Sequence, residues 1–447
     1  MNRFTRLLIA AMLVARPLFA GGLNERGAID TYLVSTSKTN VNGVWRKVQA
    51  PLQVAAQYMV DEWDMLDSLK QFDIDWSARE ITVPLDLSDD TGIASIPEGG
   101  YEARPSSPNP VDGTLTWILL NGRFTISKTA RWIDQQNRAA MLERQLLYQG
   151  QKKLQALARR VAEYFYGFST GTMAKVVGDA AGVLTLKDFY GIAGLGSTTA
   201  PFSVTNPYRV NDWVAVLNPA GPALRGISKI TAVTPATPSI TITPDIGTTA
   251  ANDLICFANS LENTTLAGGT DRDNALNGFL DSTSSVSLHN VSSAVNPKWA
   301  VGFTDTTGGR LTGPRLMKAR QFQMNAGGGD GYDNVLYDQA VERDVIAYLQ
   351  ASVRYSDPSG MQLDGTPKLS GAKMVSTRFV PEGYAFTFLK SKVRKMTLLP
   401  RPSGSPAWDD AKALIDQSGF IFALDYPCFL VWLNRGNLGV FSGLTRS

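Results

Sequence analysis

Residues 81–128 read ITVPLDLSDDTGIASIPEGGYEARPSSPNPVDGTLTWILLNGRFTISK, and residues 131–167 follow with RWIDQQNRAAMLERQLLYQGQKKLQALARRVAEYFYG. The first run opens on an alternation of apolar and polar residues, the period of a half-buried strand. It passes a tip rich in Gly, Pro and Ser and returns through a second strand-like run. Ile81, Val83, Leu85 and Leu87 form one apolar face, and Phe124 and Ile126 extend it on the return strand. Each arm, counted to the tip, is roughly 20 residues; at about 3.3 Å per residue the reach is on the order of 60 Å, well beyond the radius of a domain. A lone two-stranded hairpin is marginally stable in water, and its edges invite pairing with another chain. The stretch therefore predicts a protein held by its neighbours. The alternative is an ordinary hairpin packed on its own domain.

The second run predicts one long helix. Leu142, Leu146, Gly150, Leu154, Leu157, Val161 and Phe165 recur every three or four residues and share one face. Gly150 costs about 1 kcal/mol relative to alanine in mid-helix and marks a bend or a close crossing.

Charge is distributed unevenly. The net charge is +3 over 447 residues, 44% hydrophobic, with mean hydropathy −0.09 and an isoelectric point near 8.7. This describes a globular chain large enough for two or three domains and too mildly basic to imply nucleic-acid binding by itself. The hairpin is acidic, with Asp86, Asp89, Asp90, Glu98, Glu102 and Asp112 against Arg104, Arg123 and Lys128. The helix is basic, with Arg131, Arg138, Arg144, Lys152, Lys153, Arg159 and Arg160. Asp86, Asp89, Asp90, Glu98, Glu102 and Arg104 are therefore candidates to contact Arg144, Lys152, Lys153 and Arg159 of another copy. Separately solvated faces are the alternative.

The amino terminus, MNRFTRLLIAAMLVARPLFAGG, has the basic start, short apolar run and small residues of a secretory signal peptide. Arg16 and Pro17 are unusual so close to a cleavage site, and the apolar run is too short to span a bilayer. Residues 1–47 are expected to be a retained basic arm. Cys256 and Cys428 each lie in an apolar strand-like run and read as buried small hydrophobes rather than a disulfide.

A helix is expected within 48–80, with Val54, Tyr58, Trp63, Leu66 and Leu69 on its apolar face. Residues 168–200 read as mostly irregular. Residues 207–258 carry short strand-like runs between Pro, Gly and Asn turns, which suits a small barrel or sandwich. From Leu276 the pattern mixes helix and strand. LTGPRLMKARQFQMNAGGG predicts a helix with a glycine stop, DNVLYDQ a strand and QAVERDVIAYLQASVRY a helix. KMVSTRFVPEGYAFTFLK and PCFLVWLNRGNLGVFSGL each read as a strand pair.

Catalytic chemistry is sparse. The single histidine, His289, sits in a Ser-rich run with no obvious partner, and no Cys–His metal spacing or phosphate-binding glycine loop occurs. GGGDGYDN, residues 327–334, lacks the ligand pattern of a calcium loop and reads as a helix-to-strand connection. Asp89/Asp90 and Asp409/Asp410 are adjacent, a spacing that splays carboxylates apart on a strand. No catalytic residue, cofactor or metal is expected, and the chain is not expected to be an enzyme.

The order of these parts resembles the major capsid proteins of tailed bacteriophages, the Hong Kong 97 fold. A basic arm precedes an extended loop and a long spine helix. NGFLDS, VNPKWAVGF, LTGPRLMKAR, GGGDGYDNVLYDQ and MVSTRFVPEGYAFTFLK then follow in the expected order. The resemblance implies an α+β fold divided as follows: an arm (1–47), a helical start of the peripheral domain (48–80), the extended loop (81–128), the spine helix and peripheral domain (129–200), an inserted small β-domain (201–260), an axial domain with peripheral segments (261–400) and returning C-terminal strands (401–447). It also implies self-assembly through hexamers and pentamers into an icosahedral shell around non-specifically held double-stranded DNA. Portal, scaffold or decoration proteins would be further partners, with no membrane, and the location would be a virion capsid built in the bacterial host cytoplasm. Some members weld subunits through a lysine of the extended loop. Here the loop has no lysine before Lys128, which implies a non-covalent shell. An encapsulin-like compartment shell and a secreted β-rich binding protein remain the alternatives.

Overall fold

The structure is a computed structural model that describes residues 67–68, 75–76, 80–85, 87, 111–116, 119–127, 140–168, 171–195, 204–219, 224–258, 278–327, 329, 331–346, 368–369, 371–397, 407–408, 412–413 and 419–445. The chain is mixed α and β, with few helices and much sheet. It divides into two compact units. One comprises residues 1–68, 118–162 and 396–429, and the other 69–117, 163–395 and 430–447.

The longer elements, in chain order, begin with strands β1 (Glu80–Leu85), β2 (Val111–Thr116) and β3 (Leu119–Ser127), and the helix α1 (Ala140–Tyr166). Six strands follow: β4 (Thr172–Ala180), β5 (Val183–Lys187), β6 (Trp213–Leu217), β7 (Leu224–Thr234), β8 (Ser239–Thr243) and β9 (Leu254–Phe257). Next come α2 (Phe279–Ser284), β10 (Phe303–Asp305), α3 (Gly313–Gly327) and β11 (Asn334–Asp338). The last are β12 (Ala372–Thr377), β13 (Ala385–Phe388), β14 (Gly419–Trp432) and β15 (Leu438–Phe441).

In the first unit, β3 runs antiparallel to β14 over nine residue pairs, from Gly419↔Ser127 to Pro427↔Leu119. Phe124, Ile126, Phe420 and Phe422 alternate onto a buried face of this pair. The expectation that Phe124 and Ile126 extend the hairpin's apolar face is corrected here. The strand that returns along β1 is β2, in the register Ile81↔Leu115, Val83↔Gly113 and Leu85↔Val111, and β3 belongs to a different sheet. The local alternation is real, but alternation does not say which strand is the partner. The helical face expected around Leu146 is present: Leu146, Gly150, Leu154 and Val161 are buried, and α1 passes Gly150 without interruption.

In the second unit, strands β4–β9 close into a barrel in the order β8-β5-β4-β9-β6-β7. Its wall therefore takes two strands from the stretch read as mostly irregular, because β5 alternates VLTLK with only Leu184 and Leu186 turned in. Val176, Val214, Val216, Ile230, Ile240, Ile255, Cys256 and Phe257 are buried with them. Closure removes the open sheet edges that would otherwise need cover.

The same unit holds a mixed sheet in the order β10-β15-β13-β11-β12, with the short strand Lys368–Leu369 at its end. β12 and β13 were expected to pair with each other. Instead both flank β11, β12 in parallel and β13 antiparallel. Likewise β14 and β15 do not pair: β15 lies between β10 and β13. The turn signals between these runs are genuine, but each turn sends the chain to another position in a sheet. Helix α3 packs through Leu316, Ala319 and Gln323, three buried residues at helical spacing. The Tyr332 hydroxyl donates to the Leu316 carbonyl at 3.0 Å, and Gln323 Nε2 donates to Thr387 Oγ1 at 2.8 Å. Residues 327–334 form the expected helix-to-strand connection, where Asp333 Oδ1 accepts the Lys390 amide at 2.8 Å.

Candidate assembly surfaces

The basic helix α1 supplies one half of the expected contact set. Arg144, Tyr148 and Lys152 stand at i, i+4 and i+8, so they share a face. All three are exposed, and Tyr148 is 61% exposed, unusual for so large a ring. The Lys152 ammonium lies 5.6 Å from the Tyr148 ring centre and 3.5 Å from Gln155 Oε1. Lys153 and Arg159 are half-buried and engaged within the chain, so the outward basic stripe rests on Arg144 and Lys152. Asp86, Asp89, Asp90, Glu98, Glu102 and Arg104 of the hairpin lie outside the described residues, as does the arm 1–47.

Exposed apolar side chains also stand on α3: Met317, Phe322 and Met324 are 59%, 52% and 44% exposed, with the Phe322 ring 5.7 Å from that of Phe303. The helix is fixed at its start by Arg315. That guanidinium donates to Asp305 Oδ2 from Nε at 3.0 Å and Nη2 at 2.8 Å, and from Nη1 to the carbonyls of Gly308 and Arg310. Burial alone would raise the Asp305 carboxyl. The bonds from Thr307 and Arg315 outweigh it and hold the group below the usual carboxylate range.

The root of the hairpin is tied to the interior at residues sequence reasoning left without a role. His289 and Asn290 take φ of 54° and 60° between the paired dipeptides Ser287–Leu288 and Val291–Ser292. Two consecutive positive φ values are the signature of a two-residue hairpin turn that favours Asn. The run SLHNVS carries that signal. The Thr114 amide of β2 donates to the His289 carbonyl at 2.9 Å, and Asn290 Nδ2 donates to Thr114 Oγ1. The imidazole points inward, where Nε2 accepts the Trp432 amide at 3.1 Å. Burial, reinforced by the Arg435 guanidinium, lowers its pKa to about 3, so the ring is neutral. Arg435 is itself buried and donates to the carbonyls of Ser282 and Ser285, and burial lowers it to about 10 against the pull of Asp281. These partners lie far from His289 in sequence, so no local motif announces them.

Among the described residues no group of three or more His, Cys, Asp or Glu side chains could hold a metal ion. No helix among them is long and apolar enough to cross a membrane.

No family model matches the sequence, and no curated protein matches it. Solved structures do resemble it. The capsid asymmetric unit of cyanophage A-1(L) is 10% identical with a TM-score of 0.49, covering 88% of this chain and 93% of its own. The satellite phage P4 procapsid is 9% identical with a TM-score of 0.40, covering 100% and 98%. The capsid of a native GTA particle is 11% identical with a TM-score of 0.40, covering 86% and 89%. The structures that resemble this chain are mainly phage capsid proteins, with an encapsulin and a virus-like particle among them.

Proposed function

We propose that this chain is a shell-forming structural protein of the Hong Kong 97 fold, the major capsid protein of a tailed phage, and not an enzyme. The observation that carries the reading is the order of parts within the chain itself. The paired strands β1 and β2 precede a 27-residue helix, and a closed barrel stands between that helix and a mixed sheet. The residues between β1 and β2, from Asp86 to Pro110, are too many for a turn, which supports reading them as the extended loop.

Under this reading the divisions at 1–47, 48–80, 81–128, 129–200, 201–260, 261–400 and 401–447 are arm, peripheral start, extended loop, spine and peripheral domain, inserted β-domain, axial domain and returning strands, with the inserted domain extended backward to take in β4 and β5 from residue 172. Copies form hexamers and pentamers of an icosahedral shell in the bacterial host cytoplasm. The acidic loop residues Asp86, Asp89, Asp90, Glu98 and Glu102, with Arg104, lie over Arg144, Lys152, Lys153 and Arg159 of a neighbour. The interior faces double-stranded DNA, held without sequence preference and released by salt. A portal, scaffold or decoration protein completes the particle.

Electron microscopy of the purified full chain tests the proposal. Closed icosahedral particles are expected. A monodisperse monomer under conditions from low to high salt overturns it. Protein cargo instead of DNA inside such particles would replace the phage reading with an encapsulin-like compartment.

A further inference from the structure

We propose that His289 is a positioning residue that latches the root of the hairpin β1–β2 to the core through its neutral imidazole, and that acid opens this latch. The inference stands whether or not the chain builds a shell, because it concerns contacts within the second unit alone.

One residue joins both sides of the latch. Its backbone carbonyl accepts the Thr114 amide of β2, and its ring accepts the Trp432 amide at the end of β14. The neighbouring Asn290 adds a second bond to Thr114. Gly113 lies beneath: a Cβ there would stand 3.1 Å from the His289 Cβ and 3.1 Å from Leu85 Cδ1, so the strand approaches the turn as closely as a glycine permits.

The bond to Trp432 requires a bare lone pair on Nε2, which places the ring hydrogen on Nδ1. Protonation puts a second hydrogen on Nε2, facing the Trp432 N–H. The acceptor becomes a donor, and a cation is set beside the Arg435 guanidinium. The charged groups around the ring do not offset this. Arg435, on the turn after Trp432, repels an imidazolium, and Asp281 of α2 acts on Arg435. On the neighbouring elements, Asp112 of β2 and Lys298 beside Trp299 are exposed. Trp299 itself contributes only its ring, 6.0 Å away.

The sign follows from linkage. The latched ring binds its proton more weakly than a released one. The latch is therefore complete above the ordinary histidine pKa of about 6.5 and weakens about tenfold for each pH unit below it, down to the latched pKa of about 3.

Amide exchange on the full chain reads the latch directly. After correction for intrinsic rates, peptides covering 111–116 and 287–292 are expected to lose protection by about tenfold per pH unit between about pH 6 and about pH 4, while the barrel strands keep theirs. In His289→Gln, which keeps an acceptor but does not titrate, the same peptides are expected to show a flat profile. An identical acid loss in this variant overturns the proposal. If the variant does not fold, exchange of the imidazole Cε1 hydrogen in the unaltered protein decides. The chain has a single histidine, so the signal is unambiguous. An apparent pKa far below 6.5 is expected, and an ordinary value overturns the latch.

Discussion

Phe124 and Phe422 stack with ring centres 5.0 Å apart and planes 14° from parallel, directly opposite each other in the β3–β14 ladder. Both are buried, and nearly 300 residues of chain separate them. Bringing the ends of so long a loop together costs conformational entropy, which the contacts of this strand pair help to offset. Truncating either ring, as Phe124→Ala or Phe422→Ala, is expected to cost about 3–5 kcal/mol. The double variant is expected to cost about 0.5–1.5 kcal/mol less than the sum, the share belonging to the stack. Urea unfolding of the unassembled subunit measures it. Strict additivity would show that the stacked geometry contributes nothing.

That pair also shows what the sequence could and could not disclose. Period-two alternation was legible in ITVPLDLS and in NGRFTIS, and period 3.6 in the helix around Leu146 and Leu154. Both report burial faces, and burial of Val83, Phe124, Leu146 and Leu154 agrees with them. Partnership is a different quantity. β3 pairs with β14, and β12 and β13 are held apart by β11, because long-range pairing leaves no trace in local pattern. On the candidate surface, the basic character of the helix was readable from its composition, but not that Arg144 and Lys152 are exposed while Lys153 and Arg159 are half-buried. The partners of His289 were not legible either, since Thr114 and the stretch from Trp432 to Arg435 come from two distant segments.

In the barrel a buried carboxylate is paired with a partly exposed arginine. Asp253 is fully buried, and its Oδ2 lies 2.6 Å from Arg225 Nε and accepts the Ala250 amide at 2.7 Å. Removing the cation, as Arg225→Met, leaves a buried carboxylate without its counter-charge and is expected to cost about 3–5 kcal/mol. Adding Asp253→Asn to that variant is expected to return part of the loss, because the uncompensated charge disappears. Thermal unfolding of the three chains decides: a double variant less stable than Arg225→Met would contradict the charge argument.

Acid should loosen the start of α3 by a second route. The Asp305 carboxyl, held low by Thr307 and Arg315, favours the folded state while it is ionised. Its stabilisation is present above the ordinary carboxylate pKa of about 4 and disappears as pH falls through the lower folded value. Asp305→Asn is expected to remove this dependence and to increase amide exchange at 313–317 at neutral pH. An unchanged acid profile in the variant would assign the effect to another group.

If the acidic loop grips a neighbour's spine, reversing its charge will break the grip without harming the subunit. Asp89→Lys together with Asp90→Lys is expected to abolish or sharply reduce particle formation at low salt, while the unassembled protein keeps its solubility and unfolding midpoint. The counterpart, Arg144→Glu with Lys152→Glu, acts on an exposed helical face and is expected to do the same. Combining both reversals is expected to restore part of the yield, since the attraction is re-formed with opposite signs. Normal particle yield from the loop variant would remove electrostatics from the joint.

The same joint is expected to be non-covalent. The loop from Ile81 to Ser127 contains no lysine, so it lacks the amine that would form an isopeptide bond to a neighbour. Assembled particles boiled in detergent are expected to run as one band at the 48.4 kDa subunit mass. Their stability should then rest on buried area and charge, and ion pairs at exposed sites weaken with salt. Particles are accordingly expected to dissociate at a lower denaturant concentration as salt is raised. A ladder of dimers, trimers and higher rungs under denaturing conditions would show a covalent weld supplied by a lysine outside the loop.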